Sequence, residues 1–220
     1  MRFADRRQAG AELGELVARE APTDPVVYAL PRGGVPVGIE VASRLGCPLD
    51  IVAVRKLGVP GQPELAMGAL AEGGVLYRDG ALIAMAGVSE AAFAEVVSAE
   101  TARLATQAAL RPPGSRRVPA AGRTALVVDD GLATGATALA ATRALREMGA
   151  SSVWVCVPVG PADSPALLEN EADRLLIVYQ PRRFQAVGLW YQDFAPVADE
   201  EVRSILLDAG LRFRSPTEES

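Results

Sequence analysis

Residues 124–137 constrain this chain more than any other stretch. Ala125, Leu126, Val127 and Val128 form a short continuous apolar run, the composition of a strand buried on both faces of a parallel sheet. Two adjacent carboxylates, Asp129 and Asp130, end it. Small residues dominate the turn that follows, which reads Gly131, Leu132, Ala133, Thr134, Gly135, Ala136 and Thr137. Beyond it Leu139, Ala140, Leu145 and Met148 recur at helical spacing. The pattern is strand, acid pair, glycine turn, helix start.

Such a turn suits a phosphate. The first amides of a helix have no intrahelical acceptor, converge on one point and sit at the positive end of the helix dipole. Small side chains let an anion reach them, and Thr134 and Thr137 can add hydroxyl donors. The acid pair cannot hold phosphate, so it must face sugar hydroxyls or a divalent cation. A loop that offers both belongs with a sugar phosphate. A strand-end carboxylate that serves a ligand contributes little to a core, so Asp130→Asn is expected to weaken ligand binding and leave the melting temperature near that of the wild type. A nucleotide P-loop is excluded, because no G-x-x-x-x-G-K-[ST] string occurs.

The 220 residues suffice for a full core in a single domain. Asp and Glu number 27 against 22 Lys and Arg, a net charge of −5, which argues against a general nucleic-acid binder but not against a local patch for a small anion. There is no histidine, which rules out His-based triads and disfavours zinc. Cys47 and Cys156 lie in apolar surroundings and read as buried free thiols. No apolar run approaches the ~20 residues of a membrane span, and no signal peptide is evident, so the expected compartment is the cytoplasm.

Elsewhere the patterning alternates strand and helix. Helices are expected over 3–20, 36–45, 89–110, up to about 149, and 199–209, with a short one starting at Ser164-Pro165. Strands are expected over 26–30, 49–54, 124–128, 152–159 and 174–179. Gly and Pro make 57–63 a loop, 66–71 and 75–78 read as a hairpin, and 111–122 reads as a linker. Residues 215–220 are expected to fray. The fold class is therefore α/β, a doubly wound parallel sheet flanked by helices. The simplest such order sets strands 26–30 and 124–128 side by side at the switch point. That would bring Arg32, Gly33 and Gly34, at the end of the first strand, to the acid pair. The two glycines permit close approach to a ligand, and Arg32 can make paired bonds to phosphate. Arg55 and Lys56, ending the second strand, would point into the same crevice.

The apolar strand, acid pair and Thr134-Gly135-Ala136-Thr137 turn closely resemble the phosphoribosyl diphosphate motif of type I phosphoribosyltransferases. The resemblance extends over residues 28–191, although it is specific only in short pieces. It implies a hairpin-and-helix insertion (57–122) in a core of 21–56 and 123–180, and a small hood (181–212) with the N-terminal helix. It implies phosphoribosyl diphosphate as donor, magnesium at Asp129 and Asp130, release of diphosphate, and a nitrogenous base or other small molecule as acceptor. Residues 131–137 would hold the 5′-phosphate. Arg32 and Gly33, with Gly34, would form the diphosphate loop, where the family often has a cis peptide. Arg55 and Lys56 would neutralise the leaving diphosphate, and Arg78 would sit in a closing loop. Trp190 and Tyr191, with Phe184 and Phe194, could stack on a base or pin the hood to the core, and Asp193 is a weaker candidate to accept from a base N–H. No membrane or nucleic-acid partner is implied, and a homodimer is one assembly it allows.

One position departs from the 6-oxopurine members. Where they carry an Asp that handles the purine proton, this chain has Ala133. That counts against hypoxanthine, guanine and xanthine as acceptors. A second reading stays open: a regulatory protein that keeps the ribose-phosphate pocket and does not catalyse transfer.

Overall fold

In chain order the computed structural model contains α1 (Arg6–Arg19), β1 (Pro25–Ala29), α2 (Gly34–Leu45), β2 (Leu49–Ile51), β3 (Val54–Val59), β4 (Gln62–Ala71), β5 (Val75–Arg78), α3 (Gly80–Met85) and α4 (Glu90–Ala108). After these come β6 (Thr124–Val128), α5 (Ala136–Glu147), β7 (Ser152–Val159), β8 (Arg174–Tyr179), a 3-10 turn (Val187–Trp190) and α6 (Asp199–Arg212). The described residues are 2–163, 168 and 170–213. The helix expected at Ser164-Pro165 and the fraying expected at 215–220 lie outside them.

Strands of near-continuous apolar residues need cover on both faces, and the main sheet receives it. Its order is β2-β1-β6-β7-β8 and every pair is parallel. β1 and β6 are neighbours, with Val27 opposite Leu126 and Ala29 opposite Val128, so their C-terminal ends are level. Alternate residues feed two cores. Val27, Ala29, Leu126 and Val128 pack with α1, α2 and α6 on one face. Val26, Tyr28, Ala125 and Val127 pack with α5 and β4 on the other. α6 therefore belongs to the α2 side of the core. Cys47 and Cys156 are buried free thiols. No helix among the described residues is long and apolar enough to cross a membrane.

Two expectations about the insertion need correction. The strand expected over 49–54 is two strands in two sheets. β2 ends at Ile51, and β3 begins at Val54 in a separate antiparallel sheet, β3-β4-β5. The break is stabilised by Glu72, whose carboxylate accepts from the Ala53 amide at 3.2 Å while its own amide donates to Ala53 O at 3.3 Å. Arg55 and Lys56 therefore lie on β3 opposite Leu70 and Ala69 rather than at the end of a core strand. The stretch 57–63 is mostly a β3–β4 hairpin, turned at Gly61 with φ +80°.

The second correction concerns 111–122, which is an anchored segment rather than a loose linker. Arg111 donates to Asp50 at 3.0 Å, to Glu72 at 2.7 Å and to Ile51 O at 3.0 Å. Arg117 also donates to Glu72 at 2.7 Å, and the Val118 amide to Asp50 at 2.9 Å. Burial raises the Asp50 pKa despite Arg111. For Glu72, burial is outweighed by its two arginines, so its pKa is lowered. Such a cluster is strongly destabilised when one partner is removed. It fixes the end of α4, which Ser89 starts by accepting from the Ala92 amide at 3.2 Å, against the core.

α1 is set by small residues. The Gly10 and Gly14 positions face α2, and a Cβ at Gly10 would meet Val37 O at 2.6 Å and Glu40 Cβ at 3.0 Å. Alanine normally gains about 1 kcal/mol over glycine inside a helix. Overpacking against an immobile backbone oxygen costs about 1–3 kcal/mol. Gly10→Ala is therefore expected to lower the melting temperature by roughly 2–4 °C. A thermal melt with a higher midpoint than wild type would contradict this packing.

Candidate active site

The level ends of β1 and β6 bring two backbone turns into contact. A Cβ at Gly34 would meet Val128 O at 2.5 Å and Asp129 Cα at 3.0 Å, and one at Gly33 would collide with Oδ2 of Asp130. Only glycine lets the 31–34 turn lie this close to the acid pair. The peptide joining Pro31 and Arg32 is cis. Gly131 has the same role toward the hood, where a Cβ would meet the Val187 side chain at 2.5 Å.

Asp129 and Asp130 sit where the sequence places them. Oδ1 of Asp129 accepts from the Asp130 amide at 2.9 Å. Burial raises the Asp129 pKa well above the ordinary range, and the neighbouring Asp130 charge adds to this. Burial raises Asp130 as well, opposed by Arg6. Nε of Arg6 donates to Asp130 Oδ2 at 2.9 Å, with both side chains mostly buried. The Tyr191 hydroxyl donates to the Asp130 carbonyl at 2.5 Å.

Beyond the acid pair, Gly135 caps α5 with φ +77°. Ala133, Thr134 and Thr137 are exposed. Among the described residues, the amides of Ala133, Thr134, Gly135 and Thr137 have no hydrogen-bond partner, while the Ala136 amide makes a long contact of 3.5 Å to Thr134 Oγ1. Gly131 and Leu132 are buried, and the Leu132 amide donates to Val159 O at 2.8 Å. The turn thus presents open donors at a helix start, as an anion site requires.

A cleft of about 530 Å³ opens beside the 31–34 turn and Asp130, whereas Gly34, Asp129 and the 131–137 turn, all expected in the site, are not in its lining. Pro31, Arg32 and Gly33 line one wall together with Asp130 and Arg6. The hood contributes Phe194, Pro196, Val197 and Asp199. The remaining wall is Arg55, then Arg103, Thr106 and Gln107 from α4, and Leu110 just after it. Arg32 is exposed, and its Nε lies 2.9 Å from Asp199 Oδ1 in an ion-pair contact without hydrogen-bond alignment. Arg55 donates to Glu100 at 2.7 Å, and Arg103 donates to the other Glu100 oxygen at 2.6 Å.

Other expected site residues stand apart. Lys56, Arg78, Trp190 and Tyr191 are not in the cleft lining. Arg78 donates to Glu90 at 2.5 Å and lies 4.3 Å from the Phe93 ring centroid. Tyr191 is 4% exposed and packs on Phe3 and Phe194, and Trp190 meets Tyr179 edge-on at 5.3 Å. Asp193 accepts from the Ala195 amide at 3.0 Å. Sequence reasoning missed Arg6, Arg103 and Gln107. A signal for Arg6 was present, since it falls on the same helical face as Gly10, Leu13, Gly14 and Val17. For the α4 residues no local signal exists, because long-range packing brings that helix to the cleft.

The parallel sheet, the flanking helices and the acid-pair turn facing a glycine turn define a fold of the type I phosphoribosyltransferase class. The family described as "Phosphoribosyl transferase domain" matches residues 6–188, and the chain belongs to that family. The crystal structure of TT1426 from Thermus thermophilus is 40% identical, with a TM-score of 0.85 covering 94% of this chain and 99% of that one. "Putative phosphoribosyl transferase Rv0571c" of Mycobacterium tuberculosis H37Rv is 43% identical over 204 residues. So is "Putative phosphoribosyl transferase MT0597" of strain CDC 1551. That match takes in 93% of this chain but only 46% of each relative, so the chain spans about half their length.

The geometry revises the expectation for Asp130→Asn. Removing that charge leaves the mostly buried Arg6 without its counter-ion, so a lower melting temperature is expected. Asp129→Asn should behave in the opposite way, since it keeps the acceptor for the Asp130 amide and removes a disfavoured charge. A raised folded pKa means that wild type loses stability as pH rises from the ordinary Asp value of 3.8. Calorimetry without magnesium should find Asp129→Asn close to wild type at about pH 4 and roughly 2–4 °C more stable at pH 7. A variant that melts below wild type at pH 7 would show that the Asp129 carboxylate is stabilising.

Proposed function

We propose that this chain transfers the phosphoribosyl group of phosphoribosyl diphosphate to a small nitrogenous acceptor and releases diphosphate. The observation that carries this reading is the contact of the Gly33-Gly34 turn with Asp129 and Asp130, a few residues before the open amides at the start of α5. In this reading the amides of Ala133 to Thr137 take the 5′-phosphate, the acid pair takes the ribose hydroxyls, and Arg32 and Gly33 take the diphosphate. Arg32 exchanges its exposed contact with Asp199 for phosphate oxygens, which match its fork of donors better.

Magnesium fits this arrangement as a shared ion. Among the described residues no cluster of three or more acidic, His or Cys side chains could cage a metal. Magnesium commonly takes one or two carboxylates and completes its shell with substrate oxygens and water. Asp129 and Asp130 would be those carboxylates, and their pKa values, raised first by burial, mark buried charge that a cation would offset. The ion would supply neutralising charge to the departing diphosphate.

The reaction forms a bond between the acceptor nitrogen and C1 of the ribose while the bond from C1 to the diphosphate oxygen breaks. Positive charge develops on the sugar, beside Asp130. The protein holds the reactants in line and keeps Arg55 and Arg103 near the cleft, steadied by Glu100. Incubation with phosphoribosyl diphosphate, magnesium and a panel of bases should release diphosphate only when an acceptor is present. Saturable binding of the donor without release for any acceptor would instead favour a regulatory role.

Ala133 supports a narrower expectation. Its methyl group can neither take a proton from nor hydrogen-bond to a purine, and such acid–base help is typically worth ~10²–10⁴-fold in rate. Transfer to hypoxanthine, guanine and xanthine should be negligible beside an authentic hypoxanthine-using enzyme. Comparable turnover on any of the three would refute this reading of Ala133.

A further inference from the structure

Arg6 belongs to neither turn, yet it reaches the centre of the site from α1. Three contacts fix its guanidinium. Nε donates to Asp130 Oδ2 at 2.9 Å, Nη1 donates to the Ala195 carbonyl at 2.8 Å, and Cζ lies 3.9 Å from the Phe194 ring centroid. The side chain is 11% exposed and lines the cleft. Its helix cannot slide easily, because Gly10 and Gly14 pack closely on α2 and Asp5 caps the first turn by accepting from Gln8. The residues just before it are tied to the hood, with the Phe3 amide donating to Trp190 O at 2.8 Å and the Gln192 amide to Phe3 O at 2.8 Å.

We infer that Arg6 is a positioning residue for the ribose: it holds Asp130 by one carboxylate oxygen so that the other faces the sugar hydroxyls. Oδ2 is the oxygen bound by Arg6, and it occupies the space a Cβ at Gly33 would need. Oδ1 has no hydrogen-bond partner among the described residues. The Tyr191 bond to the Asp130 carbonyl fixes the main chain as well, so the carboxylate has little freedom left to lose when a ligand binds. The same guanidinium bonds to Ala195 and stacks on Phe194, which ties the hood wall of the cleft to the sugar side.

The inference rests on the ribose-phosphate reading of the site, and the test separates the two. Calorimetry in magnesium would measure phosphoribosyl diphosphate, ribose 5-phosphate and inorganic phosphate against wild type, Arg6→Gln and Arg6→Lys, with thermal melts to establish folding. A hydrogen bond to a charged group corresponds to about tenfold or more in affinity. Arg6→Gln should therefore lose about tenfold for ribose 5-phosphate and keep inorganic phosphate within about twofold. Arg6→Lys retains the charge but cannot bridge Asp130, Ala195 and Phe194 together, so an intermediate loss of about threefold is expected on the same scale. A folded Arg6→Gln that loses both ligands equally, or neither, overturns the inference while the functional reading stands. Should Arg6→Gln fail to fold, an Arg6→Lys variant with undiminished affinity for ribose 5-phosphate overturns it. Wild type that binds neither phosphoribosyl diphosphate nor ribose 5-phosphate overturns the functional reading, and the inference with it.

Discussion

The closest approach on which the site depends is between two strand ends. The 31–34 turn lies against Val128, Asp129 and Asp130 with no room for a side chain at Gly33 or Gly34. This contact requires β1 and β6 to be parallel neighbours ending at the same level, which their register provides. It also takes the two carboxylates partly out of water, and desolvation is the first cause of their raised pKa values. Charge so placed needs compensation. Arg6 supplies it for Asp130, whereas Asp129 has only the Asp130 amide.

The insertion is held by a different kind of force. Asp50, Glu72, Arg111 and Arg117 make a largely buried ionic cluster at the edge of the main sheet. Exchanging such a cluster for apolar residues can be neutral or stabilising, so its presence is weak evidence of extra stability. Its structural effect is plainer. It ties together β2, the β4–β5 turn, the end of α4 and the segment leading to β6. That anchoring brings Arg103, Thr106 and Gln107 to the cleft wall and gives the site a side that neither glycine turn contains.

The hood is pinned by aromatic packing and by the N-terminal segment. Phe3, Tyr191 and Phe194 pack in series, with ring centroids 5.5 Å and 5.0 Å apart. Burial and the neighbouring Asp130 raise the Tyr191 phenol pKa, which keeps that group a donor to the Asp130 carbonyl. Phe194 alone of the four hood aromatics lines the cleft, while Tyr191 is committed to packing.

Local pattern alone determined the central elements of this protein. The apolar run 124–128, the acid pair and the small-residue turn could form little else than a buried strand leading into a helix start. Alternating strands and helices then made β1 and β6 plausible neighbours across the switch point. These features are encoded by residues adjacent in sequence, through periodicity, turn chemistry and the geometry of helix ends. The division of residues 49–59 between two sheets was not legible, because Glu72 accepting from the Ala53 amide marks the break and lies far along the chain. Nor was the anchoring of 111–122, since its Pro and Gly content is that of a linker and only the buried partners of Arg111 show otherwise. Arg6 is the sharpest case. Its partner Asp130 is 124 positions away, and no local rule pairs two charges at that distance. Tertiary packing decided it: α1 is seated on α2 through Gly10 and Gly14, and the guanidinium at that helix start reaches the mostly buried Asp130 carboxylate and serves as its counter-ion.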